Sequence, residues 1–233
     1  GSDAPDRIDD RVAYLPEERG LYKRMTVRDV LRYYAALKGE SDARRAIESW
    51  LERFSLAAHA NKRVSDLSKG MAQKVQFIAT VVARPRLVLL DEPFSGLDPV
   101  SAAELREAIF DLRKDATVLF STHDMTAAEQ MCDFIFMIHR GRKVLDGTLE
   151  QIQEAHGTPT LRVEIQGTTS LDDLPGVSRV LDRGKERELV LADGADAQQI
   201  LAELVRRGPV RRFEHTRPSL REIFLRIARP EAP

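Results

Sequence analysis

The fold class can be predicted from one central segment, Arg86-Leu87-Val88-Leu89-Leu90-Asp91-Glu92-Pro93. Its apolar residues run without interruption, which predicts a strand buried on both faces of a parallel sheet. The strand ends in two adjacent carboxylates, Asp91 and Glu92. Positions just beyond the carboxyl end of such a strand are where open α/β sheets bind their ligands. The pair therefore indicates either a solvated turn or a site that holds Mg²⁺ and activates a water molecule.

On both sides of this strand the apolar pattern alternates between helical and extended periods. Such alternation predicts an α/β architecture with a mostly parallel sheet. Three consecutive helices form a predicted helical subdomain over residues 20–84. In chain order, we expect a strand over 11–15, helices from Thr26, near Ser41 and from Ser68, the strand above, a helix over 100–114, a strand over 117–121, a helix over 125–131, and strands over 134–138 and 143–145.

A domain boundary is predicted near residues 155–160, because Gly157 and Pro159 both end helical patterns. Residues 1–156 then form one domain, and residues 157–233 form a second, smaller one. In the second domain the order of elements is strand, strand, strand, helix, strand, helix. This order fits a small α+β unit of ferredoxin-like type.

Composition excludes several classes of protein. Hydrophobic residues make up 42% and charged residues 31% of the 233 residues, as in a globular protein. The 36 basic and 37 acidic side chains nearly cancel, so charge gives no reason to expect a nucleic-acid partner. The single cysteine, Cys132, excludes an internal disulfide. No apolar run approaches the ~20 residues that a membrane helix needs.

Three further segments place polar groups at helix starts or strand ends. Ser68-Lys69-Gly70-Met71 opens the third helix, where a hydroxyl, a glycine and helix N–H groups either bind an anion or simply cap the helix. Ser95-Gly96-Leu97-Asp98 leads into the next helix, with Pro99 in its first turn. Ser121-Thr122-His123 follows the next strand, where a histidine on its own indicates a structural role.

Together these segments resemble the ATP-binding cassette (ABC) ATPase family over roughly residues 11–150. The implied fold is of the P-loop NTPase type, with a partial parallel sheet and a helical subdomain, followed by the small α+β domain. The matching elements are residues 67–71 for the signature motif, 86–92 for the Walker B strand and its glutamate, 95–98 for the D-loop, His123 for the switch histidine, and 14–18 for the Q-loop.

The resemblance implies a role for each segment. Glu92 is the catalytic base, His123 contacts the γ-phosphate and the attacking water, and Asp91 supports Mg²⁺. Two such subunits pair head to tail around ATP, so a homodimer is expected. The residues that then bind the nucleotide across the dimer are Ser68, Lys69, Gly70 and Met71 of the signature motif, with Ser95, Gly96 and Asp98 of the D-loop.

The chain departs from the family pattern in three places. Glu17 stands where the Q-loop usually has glutamine, so the metal contact expected there is a carboxylate. Lys69 and Met71 replace the usual glycine and glutamine of the signature, a variant associated with exporter-like members. The Walker A phosphate loop, G-x-x-x-x-G-K-[ST], occurs nowhere in the 233 residues. We therefore expect the N-terminal part of the domain to be absent, and the chain alone to be inactive.

The C-terminal segment Pro218-Ser219-Leu220-Arg221-Glu222-Ile223-Phe224-Leu225 is similar to the tail domain of sodium-efflux and multidrug-type ABC ATPases. The implied function is that of the energy-coupling ATPase subunit of an exporter. Such a subunit is cytoplasmic and is held at the inner face of the plasma membrane by a separate permease, which docks on the helical subdomain and the Q-loop. A soluble ABC ATPase outside transport and a non-catalytic regulatory module are the alternatives.

Overall fold

The computed structural model describes residues 12–18, 20–40, 42–156, 160–166, 170–184, 186–192 and 194–228. The chain divides into two compact units, Gly1–His123 and Asp124–Pro233. Gly157 and Pro159 of the predicted boundary, and the predicted helix start at Ser41, lie outside the described residues. The division into residues 1–156 and 157–233 stays a prediction. In the described part of the chain, no helix is both long and apolar enough to span a membrane.

The first unit contains a three-stranded parallel sheet flanked by helices, as predicted. In chain order its elements are β1 (Val12–Leu15), α1 (Val27–Leu37), α2 (Arg44–Arg53), α3 (Lys69–Val81), β2 (Leu87–Leu90), α4 (Pro99–Leu112) and β3 (Thr117–Phe120). Strand β2 is central and pairs in parallel with β1 and β3. Leu90, its last residue, lies opposite Leu15 on one side and Phe120 on the other. The carboxyl ends of all three strands therefore meet at one edge.

Side-chain caps fix where most of these helices begin. Thr26 precedes α1 and accepts a hydrogen bond from the Asp29 N–H at 3.2 Å, and Ser68 does the same for the Met71 N–H at the start of α3. Both starts agree with the sequence prediction. Helix α2 begins at Arg44, later than predicted, after Ala43, whose side chain cannot cap it.

Helix α3 is buried on every side along most of its length. Its sequence places Val75, Ile78, Ala79 and Val82 on one helical face, yet residues 72–82 are all buried, including the polar Gln73, Lys74, Gln76 and Thr80. The reason is that α3 contacts α1, α4 and β1. Lys74 compensates its burial through an ion pair with Glu104 of α4.

The second unit carries two antiparallel sheets. In chain order its elements are α5 (Met125–Met131), β4 (Ile135–His139), β5 (Arg142–Gly147), α6 (Leu149–His156), β6 (Thr160–Ile165), β7 (Val177–Arg183), β8 (Glu186–Leu191), α7 (Ala197–Arg207), β9 (Val210–Thr216) and α8 (Leu220–Ala228). Helix α6 was not predicted from the sequence. Ile135, Leu145, Ile152, Leu220 and Ile223 form one apolar cluster, so the C-terminal helix α8 packs on the β4–β5 pair and α6.

The remaining strands form a four-stranded sheet in the order β7-β8-β6-β9, covered by α7. The predicted α+β class and the predicted order of elements are both correct for this sheet. A ferredoxin-like unit has the order β-α-β-β-α-β, whereas here three strands precede α7. The difference lies between β6 and β7, where the described residues form no helix, whereas the β7–β8 hairpin and the helix between β8 and β9 are common to both orders.

Candidate active site

Asp91 lies at the centre of the carboxyl edge of the parallel sheet. Its N–H donates to the Leu15 carbonyl at 2.8 Å, which continues the ladder one residue past β2. The Ser121 hydroxyl donates to Asp91 Oδ1 at 2.5 Å, and the Tyr14 hydroxyl donates to Oδ2 at 3.2 Å. One hydroxyl therefore comes from the β3 side and one from β1. Together they fix the orientation of the carboxylate.

The charge of Asp91 also affects Tyr14. Partial desolvation, the negative charge of Asp91 and the hydrogen bond between the two side chains raise the pKa of Tyr14 above its ordinary value of 10.0. The Tyr14 hydroxyl thus remains a donor to Asp91 at neutral pH.

Glu92 follows Asp91 in an uncommon backbone conformation. Its φ is 45°, in the left-handed region that costs a non-glycine residue about 1–2 kcal/mol. The Glu92 N–H donates to Ser121 Oγ at 3.0 Å, so the same hydroxyl that holds Asp91 also holds this turn. Strain that is supported by neighbouring hydrogen bonds is typical of functional sites.

Glu92 and His123 form a direct pair. Glu92 Oε1 lies 2.8 Å from His123 Nδ1, and since a carboxylate only accepts, Nδ1 is the donor. The Glu92 side chain is 20% exposed and that of His123 is 81% exposed. The acid is therefore sheltered, and the imidazole extends toward solvent. Such a pair can orient a base and move a proton between water and a bound ligand.

The signature-like residues lie at the start of α3, against the start of α4. Ser68 is the N-cap and Lys69, Gly70 and Met71 form the first turn. Gly70 needs to lack a side chain, because a Cβ there would lie 2.7 Å from Ser101 Oγ and 3.3 Å from Asp98 Oδ2. The first turn of α3 therefore lies directly against the side chains of Asp98 and Ser101 at the start of α4.

The D-loop-like residues shape the start of α4. Asp98 is its N-cap and accepts from the N–H groups of Val100 and Ser101 at 3.1 and 3.0 Å. Hydrogen bonds from Ser101 hold the pKa of Asp98 below its ordinary value. Gly96 has a φ of 63°, in the left-handed region that favours glycine, and the Lys69 ammonium group lies where a side chain would begin. Ser95 belongs to the turn after Glu92, since its N–H donates to the Glu92 carbonyl at 3.0 Å.

Glu17 lies in the exposed loop that follows β1. Because β1 neighbours β2, this loop emerges at the same edge of the sheet as Asp91. Among the described residues, Glu17 makes no hydrogen bond or ion pair with Asp91, and no group of three or more acidic, histidine or cysteine side chains could hold a metal ion by itself.

Sequence reasoning assigned no role to three groups that organise the site. Ser121 stands in the segment that was singled out for His123, so its position after β3 was the available signal. Gln73 and Gln76 carry no such signal, because polar residues on a helix are expected to face solvent. Gln73 Nε2 donates to the Pro93 carbonyl at 3.2 Å, next to Glu92. Gln76 Nε2 donates to the carbonyls of Pro16 and Glu18, which flank Glu17.

Two family models match the chain. The ABC transporter model matches residues 3–95, and a model of the C-terminal domain of DrrA1-3-like ATP-binding proteins matches residues 147–228. The first match includes the segments around Glu17, Ser68 and Asp91. The second begins within β5 and ends at the last residue of α8.

Relatives and a solved structure point to the same family. An uncharacterized ABC transporter ATP-binding protein of Alkalihalophilus pseudofirmus is 42% identical over 218 residues, covering 92% of this chain and 82% of the relative. The Nod factor export ATP-binding protein I of Rhizobium sp. is 31% identical over 222 residues, covering 93% and 72%. A solved ATP binding subunit of an ABC transporter is 35% identical, with a TM-score of 0.59 over 63% of this chain and 62% of its own. The relative from Alkalihalophilus pseudofirmus matches almost the whole chain at 42% identity, and the Glu92–His123 pair at the edge of the sheet agrees with that match. The chain therefore belongs to the ATP-binding proteins of ABC transporters, a family of ATPases.

Proposed function

We propose that Glu92 and His123 carry out the hydrolysis of ATP by this transporter subunit. The observation that carries the proposal is the 2.8 Å contact between Glu92 Oε1 and His123 Nδ1 at the edge where parallel strands end. Glu92 takes a proton from the attacking water as the water oxygen bonds to the γ-phosphorus, and the bond to the bridging oxygen breaks to release ADP. His123 orients the base and reaches toward solvent, where the γ-phosphate would contact the ring.

Mg²⁺ is the metal ion that we propose to bind together with the nucleotide. Proteins usually supply one or two carboxylates to Mg²⁺, and phosphates and water supply the rest. The two carboxylates proposed to bind Mg²⁺ are those of Asp91 and Glu17. Ser121 and Tyr14 hold Asp91 in place, and Glu17 lies on the loop after the neighbouring strand. When bound, the ion would neutralise negative charge on the phosphates. The part played by Ser121 and Tyr14 is to keep the Asp91 carboxylate in one orientation.

The starts of α3 and α4 are proposed to act on the nucleotide of a second copy of the chain, in a head-to-tail homodimer. Their first turns meet where Gly70 lies against Ser101 and Asp98. Helix N-termini present N–H groups and the positive end of the helix dipole, which favour phosphate oxygens. Lys69 adds a cation beside them. In this assembly Ser68 and Met71 complete the site of the partner, and Ser95, Gly96 and Asp98 link the two sites.

A membrane permease is the second proposed partner, and it would dock on the helical subdomain. Tyr22, Tyr33 and Tyr34 form an aromatic cluster there, with the Tyr22 and Tyr33 rings 5.3 Å apart and both exposed. Exposed aromatic rings are enriched in protein interfaces. Export is the proposed direction of transport, at the inner face of the plasma membrane, and the similarity to an export ATP-binding protein supports it. Residues 157–233 would act as an accessory domain.

Complementation between two inactive variants tests the shared site. In the full-length protein, Ser68→Arg and Glu92→Gln homodimers should each lose hydrolysis. In a mixed dimer both lesions fall in one composite site, so the second site is intact and hydrolysis should return. A Ser49→Arg variant, which adds the same charge on an exposed position of α2, should remain active. Hydrolysis that is independent of protein concentration, with no recovery on mixing, would contradict the proposal.

A further inference from the structure

Two buried side-chain amides of α3 hold the loops that carry the acidic residues of the site. Gln76 is 4% exposed, and its Nε2 donates to the carbonyls of Pro16 at 3.2 Å and Glu18 at 3.3 Å. Gln73 is 3% exposed and donates to the Pro93 carbonyl. Each amide therefore contacts the backbone beside an acid rather than the acid itself.

The orientation of the Gln76 amide follows from its partners. Carbonyl oxygens only accept hydrogen bonds, so the nitrogen must face Pro16 and Glu18. The amide oxygen, Oε1, is buried and has no hydrogen-bond partner among the described residues. A buried acceptor without a partner is unfavourable for folding. Gln76 is thus a poor choice for stability alone, since an apolar side chain of similar size would fill the same space without this cost.

We infer that Gln76 is a positioning residue for the loop formed by residues 16–18. By bridging the carbonyls on both sides of Glu17, its amide fixes the backbone at the carboxyl end of β1. The loop carries Glu17 at the edge of the sheet where Asp91 lies. The inference rests on the proposed function at one point, which is that Glu17 faces the Mg²⁺ ion of the bound nucleotide.

The variant that tests this inference is Gln76→Met, which keeps the length of the side chain and removes both donated hydrogen bonds. Thr80→Val is the matched control. Thr80 lies one turn further along the same buried helix, and its hydroxyl donates to the Gln76 carbonyl at 2.9 Å, within the helix. Gln73→Met is the comparison variant, since it releases the loop beside Glu92 instead of the loop beside Glu17.

The first measurement needs no nucleotide. A glutamate-specific protease cleaves after Glu17 and Glu18 when the loop opens, and mass spectrometry identifies the cut. In the full-length protein, Gln76→Met should raise the cleavage rate there roughly tenfold or more, because both hydrogen bonds that hold the loop are lost. Thr80→Val and Gln73→Met should cleave at the wild-type rate, and thermal melting should show Gln76→Met to be as stable as Thr80→Val or more so. An unchanged cleavage rate in Gln76→Met would overturn the inference.

The second measurement is the Mg²⁺ dependence of ATP hydrolysis. Gln76→Met should need several-fold more Mg²⁺ for half-maximal activity and approach the wild-type kcat at saturation, as should Glu17→Gln. Gln73→Met should instead lower kcat without changing the Mg²⁺ requirement. If Glu17→Gln leaves the Mg²⁺ requirement unchanged, the proposed role of Glu17 is wrong, and the protease result still decides the role of Gln76. If Glu17→Gln changes it and Gln76→Met does not, the inference is wrong.

Discussion

Replacing Glu92 with glutamine separates the chemical role of this side chain from its structural role. Glutamine keeps the shape of the side chain, and its amide oxygen can still accept the hydrogen bond from His123 Nδ1 that Glu92 Oε1 accepts at 2.8 Å. What it loses is the ability to take a proton from water. General-base catalysis contributes about 10²–10⁴-fold to a rate, so kcat should fall by that factor. The corresponding rise in the activation free energy is about 3–5 kcal/mol.

The free energy of unfolding should hardly change in the same variant. His123 is 81% exposed, and ion pairs that are open to solvent on one side contribute at most about 1 kcal/mol. The Ser121 hydroxyl holds the left-handed turn through the backbone N–H of residue 92, and glutamine keeps this N–H. The melting temperature and the affinity for ATP should therefore remain at their wild-type values.

The assay is steady-state phosphate release by the full-length protein, with ATP affinity measured separately by calorimetry. Glu107→Gln is the control, because Glu107 is an exposed glutamate on α4 and should be fully active after the same change. A Glu92→Gln turnover within about fivefold of wild type lies below the range for general-base catalysis and would refute the role of Glu92. A loss of melting temperature equal to the loss of activity would show that the residue acts through stability.

Three further changes test the surroundings of this pair. Ser121→Ala removes both hydrogen bonds of the hydroxyl and should lower kcat by roughly tenfold, measured by phosphate release, since bonds to charged groups contribute about 1.5–3 kcal/mol. Asp98→Asn keeps the helix cap and removes its charge. Because the pKa of Asp98 in the folded protein lies below its ordinary value of 3.8, the charge stabilises the folded protein above pH 3.8. The difference in melting temperature between the variant and the wild type should therefore vanish as the pH falls through the lower pKa of the folded protein. Glu104→Gln leaves the buried Lys74 without its ion-pair partner and should cost about 1–3 kcal/mol in urea unfolding, while Lys74→Met in the same chain should restore part of that loss.

Much of the first unit could be predicted from local sequence signals. A continuous run of apolar residues predicted the central strand β2. A small polar residue directly before each helical pattern predicted the N-caps Thr26 and Ser68. The carboxyl edge followed from the rule that parallel strands end together, which placed Asp91 and His123 at the same side of the sheet. These signals are reliable because each depends only on a residue and its near neighbours in the chain.

The remaining features depend on contacts between distant segments. The sequence of α3 has an amphipathic pattern, yet residues 72–82 are buried by contacts that include α1, α4 and β1, so Gln73 and Gln76 face loops rather than solvent. Ser121 looks like one polar residue among several until β2 and β3 are paired, when its hydroxyl reaches both Asp91 and the N–H of Glu92. Similarly, the order of strands in the second unit is set by which strand pairs with β6, and periodicity carries no information on pairing.

Helix α3 connects the two groups of site residues. Its start carries Ser68, which is proposed to meet the nucleotide of the partner, and its middle carries Gln76, which holds the loop of Glu17. At 1.5 Å per residue the two positions are ~12 Å apart along one continuous helix. A helix packed on three sides resists bending, because its neighbours leave no space for a kink. Under the proposed function, the contact of Ser68 with the partner's nucleotide and the hydrogen bonds of Gln73 and Gln76 to the backbone beside Glu92 and Glu17 therefore belong to one helix.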